Sequence, residues 1–268
     1  MQEVSRQLTT EEELFCTRYE LETLSGIVNH NRLERWLPSF CSAQTHNEHE
    51  SRYSWVKDFV KGKTVLDMAC GTGFGSYKLA SEGGAAKVDA SDIDERTIRY
   101  ASLRNQHPAL SFAVNDAETF VAANGFDIII SFETIEHLEN PQTFLNNING
   151  SLTDNGQCFI STPIATVTEN KHPDNVFHRT EWGFKKFQEL VESYLRITDI
   201  YLQVYNVQAM KPGFLSKMVQ RSWLKPPDAE ATGKIIPRKW DPRQIREELI
   251  GKEWAGYQIL QCSKKANA

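Results

Sequence analysis

The feature that constrains this chain most is a turn with three glycines in residues 65–76, V-L-D-M-A-C-G-T-G-F-G-S. A short apolar run ends at Asp67, and the residues after the last glycine have the composition of a helix start. This order predicts a strand, a tight turn and a helix. Glycine adopts backbone angles that other residues avoid, and without a Cβ atom it lets the chain approach a ligand closely. The turn is therefore a predicted binding site for a small molecule.

Two classes of protein place such a turn after the first strand of a doubly wound sheet: dinucleotide-dependent enzymes and methyltransferases. The dinucleotide fingerprint has its third glycine three residues after the second, and Ser76 stands in that place here. Asp67 at the strand end suits a ligand with an ammonium group and no pyrophosphate. The segment resembles motif I of the class I S-adenosylmethionine (SAM) dependent methyltransferases, which implies cofactor contacts from Asp67, Ala69, Gly71 and Gly73.

Composition excludes several other classes of protein. Lysine and arginine total 30 against 35 aspartates and glutamates, and the net charge of -5 gives no general attraction to nucleic acid. The five cysteines are scattered and show no C-x-x-C spacing, which argues against a disulfide framework or a zinc site. We found no secretion signal and no apolar run of the roughly 18 to 20 residues that a membrane span needs. We therefore expect a cytoplasmic protein without a transmembrane segment.

Acidic residues follow the next two predicted strands. Asp92 lies about 20 residues after Gly73, where a carboxylate receives the ribose hydroxyls of a bound nucleoside. In the methyltransferase pattern, the residues at the positions of Asp116 and Ala117 contact the adenine ring. Ile93 is expected to lie beside the cofactor as well. Arg52 stands shortly before the turn, where a guanidinium could hold the methionine carboxylate of SAM, although an ordinary surface arginine would fit the sequence equally well.

Residues 126–132 form a largely apolar run, as expected of a strand that is buried on both faces. Phe132 at its end is a further predicted cofactor contact, and a helix is predicted to begin at Thr180. The resemblance implies an α/β, Rossmann-like methyltransferase sheet of seven strands with an antiparallel last hairpin. We expect a helical N-terminal cap or lid at residues 1–48, and a SAM-binding domain at 49–268 with an insertion at about 212–248.

Methyl transfer to a hydroxyl needs a group that removes the proton, and the sequence E-T-I-E-H at 133–137 offers candidates. We expect His137 to be the catalytic base, with His178 as the alternative and Glu136 beside them. A second hypothesis is a metal site, because carboxylates and imidazoles bind divalent ions. The E-x-x-E-H pattern is similar to that of ubiquinone-pathway O-methyltransferases and small-RNA 2′-O-methyltransferases. That likeness implies Mg²⁺ held by Glu133, Glu136, His137 and His178, yet the pattern also occurs in methyltransferases without a metal.

The order of motifs over residues 46–204 resembles bacterial methyltransferases encoded with enzymes of surface-polysaccharide biosynthesis. This resemblance implies that the partner is a small-molecule or glycan acceptor, with a methyl group transferred to a sugar hydroxyl of a glycan or nucleotide-sugar. Four alternatives stay open at this point. They are an O-methyltransferase for a small molecule or quinone precursor, an RNA-directed methyltransferase, which the acidic balance disfavours, a SAM-binding partner protein without turnover, and an NAD-linked dehydrogenase, which Ser76 disfavours.

Overall fold

The structure is a computed structural model, and it describes residues 6–28, 35–207 and 235–266. Its helices are α1 Thr10–Val28, α2 Ala43–Val56, α3 Phe74–Ser81, α4 Glu95–Arg104, α5 Pro141–Ser151 and α6 Phe184–Glu192. Its strands are β1 Thr64–Met68, β2 Lys87–Asp92, β3 Leu110–Val114, β4 Phe126–Phe132, β5 Leu152–Pro163, β6 Glu169–Asn170, β7 Glu181–Trp182, β8 Arg196–Asn206, β9 Arg238–Lys239 and β10 Trp254–Ser263.

Eight of these strands form one sheet in the order β3-β2-β1-β4-β5-β10-β8-β9. Strands β1 to β5 pair in parallel, whereas β10 runs antiparallel to both β5 and β8. The predicted α/β, Rossmann-like sheet with an antiparallel last hairpin is confirmed. The two-residue strand β9 adds a short edge beside β8.

Helices cover both faces of the sheet, as the apolar run of β4 predicts. Ile129 faces the core beneath α5 and α6, while Ile128 and Ile130 face the core beneath α2 and α3. All three isoleucines are buried. Parallel sheets bury both faces because their crossover helices pack on either side. The core thus fixes the strands and leaves their carboxyl ends open for a ligand.

The N-terminal helix α1 packs on α4 of the sheet domain. In α1, the ring of Tyr19 stacks on Tyr100 of α4 at 4.5 Å, and its hydroxyl hydrogen-bonds Thr97 at 2.8 Å. Residues 48 and 49, between which the division of cap and domain was predicted, both lie within helix α2. The division itself stays a prediction. Of the predicted insertion, residues 212–234 lie outside the described residues.

The helix predicted to begin at Thr180 begins instead at Phe184. Glu181 and Trp182 form β7, which pairs with β6 in a two-stranded sheet of its own. A pairing partner from elsewhere in the chain therefore overrode the local helix signal. Among the described helices, none has the length and apolar character needed to cross a bilayer.

Candidate cofactor and acceptor site

A cleft of about 760 Å³ opens at the carboxyl ends of β1, β2 and β4, the edge at which open α/β sheets bind ligands. One part, here named the glycine-turn end, is lined by residues 69–72, 92–93 and 115–117. Another part, the histidine end, is lined by Glu136, His137, Asn175, Phe177 and His178. An aromatic wall lies beside them, made of Trp36, His49, Tyr53, Phe132 and Tyr257.

Gly71 and Gly73 of the turn are needed for different structural reasons. Gly71 lines the cleft with a φ of 56°, and a Cβ atom added there would meet nothing within 4 Å. Gly73 has a φ of 81° and immediately precedes α3. There is no room for a Cβ atom at Gly73, because it would lie 2.7 Å from the Phe112 ring. Gly71 thus keeps the floor of the cleft open, whereas Gly73 is required by backbone angle and packing. Gly73 itself is not on the cleft wall.

In the described part of the chain, two residues that are not glycine also have a positive φ, and both line the cleft. Ala69 has a φ of 59° at the end of β1, and Glu133 has a φ of 52° at the end of β4. Such angles cost about 1 kcal/mol or more for a residue with a Cβ atom and cluster at ligand sites. Their position supports the assignment of this edge as the functional one.

Asp67 lies beneath the turn and not on the cleft wall. It is 1% exposed, and its carboxylate accepts hydrogen bonds from Ser76 Oγ at 2.6 Å and Tyr53 Oη at 3.0 Å. Burial raises the pKa of Asp67 to about 7, although the two hydrogen bonds act in the opposite direction. Its predicted contact with the cofactor stays a prediction.

Asp92 organises the glycine-turn end. Its carboxylate accepts hydrogen bonds from the backbone N–H of Gly71 at 3.1 Å and of Asp94 at 3.0 Å. Arg35 also pairs with it at 3.0 Å. The other predicted residues of this end, Ile93, Asp116 and Ala117, line the cleft as well. The geometry therefore brings the predicted ribose and adenine contacts together around one opening.

Arg35 was missed by sequence reasoning. It precedes Asp92 by 57 positions, so no local pattern relates the two. Burial lowers the pKa of Arg35, but Asp92, Tyr19 and Asp94 together outweigh that effect and raise the pKa overall. The next residue, Trp36, stacks on His49 at 5.2 Å and on Tyr53 at 5.9 Å, which ties the segment before α2 to the aromatic wall.

Arg52 lies behind the aromatic wall, fully buried. Its guanidinium donates to Gln203 at 3.1 Å and lies 3.6 Å from the Glu133 carboxylate. It also stacks over the Tyr257 ring at 4.4 Å. Burial, and after it the charge of Arg52, lowers the pKa of His49 well below its usual range. The predicted contact between Arg52 and a methionine carboxylate stays a prediction, whereas Phe132 does line the cleft.

The histidine end brings three of the predicted catalytic residues together. One ligand atom each from Glu136, His137 and His178 lies within 4.8 Å of the others, and Glu136 is fully buried. His137 Nδ1 lies 3.0 Å from the Phe177 carbonyl oxygen. A carbonyl can only accept, so in the neutral imidazole this contact places the proton on Nδ1 and the lone pair on Nε2.

Glu133, the fourth predicted metal ligand, does not join this group. Its carboxylate accepts from Ser161 Oγ at 2.6 Å and faces Arg52. One carboxylate and two imidazoles suit a divalent transition ion better than Mg²⁺, which prefers oxygen ligands. The ligand atoms at the histidine end therefore fit the predicted Mg²⁺ ion only in part.

Charge distinguishes the two classes of ligand that a glycine turn can serve. Among the described residues, five carboxylates line the cleft, from Glu48, Asp92, Asp116, Glu133 and Glu136, against one guanidinium, that of Arg35. An acidic cleft repels a pyrophosphate and attracts a sulfonium with an ammonium group. The residues present thus fit SAM and disfavour a dinucleotide.

The comparisons with known proteins agree with this geometry. A family described as "Methyltransferase domain" matches residues 59–206. Over 164 residues the chain is 29% identical to a probable S-adenosylmethionine-dependent methyltransferase of Mycolicibacterium smegmatis, covering 60% of this chain and 62% of that protein. Over 132 residues it is 31% identical to the ubiquinone biosynthesis O-methyltransferase of Coxiella burnetii, covering 47% of this chain and 56% of that protein.

A solved structure shares the fold. The TehB-like SAM-dependent methyltransferase of Corynebacterium glutamicum superimposes with a TM-score of 0.51 at 17% identity, covering 94% of this chain and 100% of that one. The fold is that of the class I SAM-dependent methyltransferases, whose cofactor is SAM, as predicted. The chain belongs to the methyltransferase domain family. It spans 56% to 62% of the length of the curated relatives named above.

Proposed function

We propose that this protein is a SAM-dependent methyltransferase that acts on a hydroxyl oxygen. The observation that carries the proposal is an acidic cleft that joins the glycine-turn end to a histidine with its lone pair on Nε2. SAM supplies a methyl group on a positively charged sulfur. Asp92 and Asp116 would hold its ribose and adenine, and Gly71 would leave room beside them.

His137 is the proposed catalytic base. When bound, SAM would supply the methyl group to the acceptor oxygen and leave as the neutral thioether, and Nε2 of His137 would take the hydroxyl proton. The hydrogen bond from Nδ1 to the Phe177 carbonyl orients the ring for this task. A neighbouring carboxylate, Glu136, stabilises the imidazolium that forms, because its ligand atom lies within 4.8 Å.

The acceptor proposed first is a sugar hydroxyl in a glycan or nucleotide-sugar, as the order of motifs implies. Carboxylates and the Asn175 amide at the cleft offer hydrogen bonds to hydroxyls, and Phe177 and Tyr257 offer apolar ring faces. A quinone precursor is the second candidate, since one relative is named for ubiquinone biosynthesis. The predicted cap is proposed as the lid over this acceptor, because its residues Trp36, Ser42 and Glu48 line the cleft.

A panel of acceptors tests the proposal. The full chain is incubated with SAM carrying a labelled methyl group and with nucleotide-sugars, oligosaccharides or catechol-type quinone precursors. We expect labelled product from one acceptor class, with the label on oxygen as determined by mass spectrometry and NMR. Cofactor binding without methyl release to any acceptor would favour the alternative of a SAM-binding partner protein.

The metal hypothesis gives a different expectation for the same assay. If His137 acts as a base without a metal, treatment with a strong chelator should change turnover less than twofold. A loss of activity that a divalent ion restores would instead show that Glu136, His137 and His178 hold an ion. Dialysis against buffer without chelator is the control.

A further inference from the structure

His178 is held from both sides of its ring. Nδ1 lies 2.6 Å from Glu181 Oε1, and Nε2 lies 3.0 Å from the side-chain nitrogen of Asn175. His178 was predicted to be the alternative base or a metal ligand, and no role was predicted for Glu181. The two hydrogen bonds indicate another task for this histidine.

The orientation of Asn175 fixes which nitrogen of His178 carries the proton. Asn175 Oδ1 accepts from the backbone N–H of Phe177 at 3.0 Å, so its NH₂ group faces His178. Nε2 of His178 therefore accepts, and Nδ1 donates to the Glu181 carboxylate. This carboxylate–histidine–amide series spans residues 175–181, which we name the histidine loop.

The histidine loop ends on the proposed base. His178 N donates to the Asn175 carbonyl at 3.0 Å, which closes a turn around Phe177. The Phe177 carbonyl then faces His137 Nδ1 at 3.0 Å. On the other side, the backbone N–H groups of Arg179 and Thr180 donate to the Glu136 carbonyl at 2.7 and 3.2 Å. The loop is thus hydrogen-bonded to the proposed base at its ring and at the carbonyl of the preceding residue, Glu136.

We propose that Glu181 and His178 are positioning residues that hold the Phe177 carbonyl against His137 and so fix the tautomer and direction of the catalytic imidazole. The inference rests on the proposed function for its effect on turnover. Glu181 lies on β7, whose pairing with β6 fixes its backbone, so the series starts from a fixed point. Hydrogen bonds one step removed from a functional histidine orient it, and at metal sites their loss costs about 10- to 100-fold in affinity or activity, the range we expect here.

Three variants test this assignment. Glu181→Leu removes the acceptor for His178 Nδ1, Glu181→Gln keeps an acceptor oxygen without the charge, and Asn175→Ala breaks the series at its other end. The matched control is Glu189→Leu on α6, an exposed residue that pairs with Lys186 at 3.5 Å. Each protein is measured for turnover, for cofactor Kd, and for histidine tautomers by long-range ¹H–¹⁵N NMR.

We expect Glu181→Leu and Asn175→Ala to lower kcat by about 10- to 100-fold, with cofactor Kd within twofold, and to give mixed tautomers at His137. Glu181→Gln should stay within about threefold of the wild-type kcat, and the control should match the wild type. A wild-type tautomer and kcat in Glu181→Leu would overturn the inference, as would equal losses in Glu181→Gln and Glu181→Leu. Displacement of Asn175 from His178 on adding Zn²⁺ would identify His178 as a ligand and overturn it too.

The NMR measurement separates this inference from the proposed function. The tautomers of His137 and His178 can be observed in the free protein, whether or not any acceptor is methylated. If the wild type shows Nδ1–H at both rings and Glu181→Leu loses it, the positioning assignment stands even if the acceptor panel fails. If methyl transfer is found but the tautomers differ from those expected, the positioning assignment fails alone.

Discussion

The glycine-turn end and the histidine end of the cleft are built in different ways. The first comes from consecutive strand ends, and its main hydrogen bond joins Gly71 to Asp92, 21 positions apart. The second joins His137 to Phe177, 40 positions apart, through a loop that itself depends on Glu181. The comparison shows that the pattern of consecutive strand ends is enough to place the cofactor-binding residues. The proposed base, His137, is instead oriented by a segment that is distant in the sequence.

The largest expected effect comes from the histidine end. His137→Ala should lower kcat by about 100- to 10,000-fold, the usual contribution of a general base, with cofactor Kd changed less than twofold. Single-turnover assays and calorimetry measure the two quantities. The exposed residue His172, replaced by alanine, is the matched control. Equal losses of turnover and of cofactor affinity would show that His137 supports the fold of the cleft and does not act as the base.

A smaller effect is expected at the glycine-turn end. Asp92→Ala should weaken cofactor binding by about 10- to 100-fold. The variant loses the carboxylate that accepts hydrogen bonds from the backbone N–H groups of Gly71 and Asp94 at this end of the cleft. Calorimetric titration with SAM measures this, and Asp92→Asn serves where the alanine variant is unstable. Asp89→Ala is the control, since Asp89 lies on the same strand and pairs with Lys87 on the surface. Unchanged affinity in both Asp92 variants would remove β2 from the cofactor site.

The smallest effect concerns Asp67, beneath the turn. Its pKa of about 7 lies above the ordinary value of 3.8, so the unfolded chain releases this proton at lower pH than the folded protein. Stability from this group is therefore complete at low pH and is lost as the pH rises toward 7. Between about pH 5.5 and 7 the wild type should lose about 2 kcal/mol relative to Asp67→Asn.

Denaturant unfolding at several pH values measures that difference. Asp127 provides the contrast, because hydrogen bonds from the Thr64 backbone lower the pKa of its carboxylate. Asp127→Asn should therefore change the stability difference in the opposite direction, and only at acidic pH. A flat difference between the wild type and Asp67→Asn across neutral pH would mean that Asp67 is ionised in the folded protein.

Much of the sheet could be predicted from the sequence, and less of the site. The apolar run of β4, the glycine turn and the carboxylates after β1 and β2 are local patterns, and the structure places them in one sheet as expected. The family match confirms the predicted class. The helix predicted at Thr180 is wrong at its start, because pairing between β6 and β7 is not visible in local composition.

The sequence by itself determined the cofactor class, since a strand, a turn and an acidic strand end are properties of short segments. Only the tertiary structure brought Arg35 to Asp92, Trp36 to His49 and Glu181 to His178. Arg35 and Asp92 lie in segments that are far apart along the chain. Glu181 and His178 lie in the histidine loop, whose shape depends on the contact between Phe177 and His137. Such contacts follow from how the elements pack, and packing depends on all segments at once.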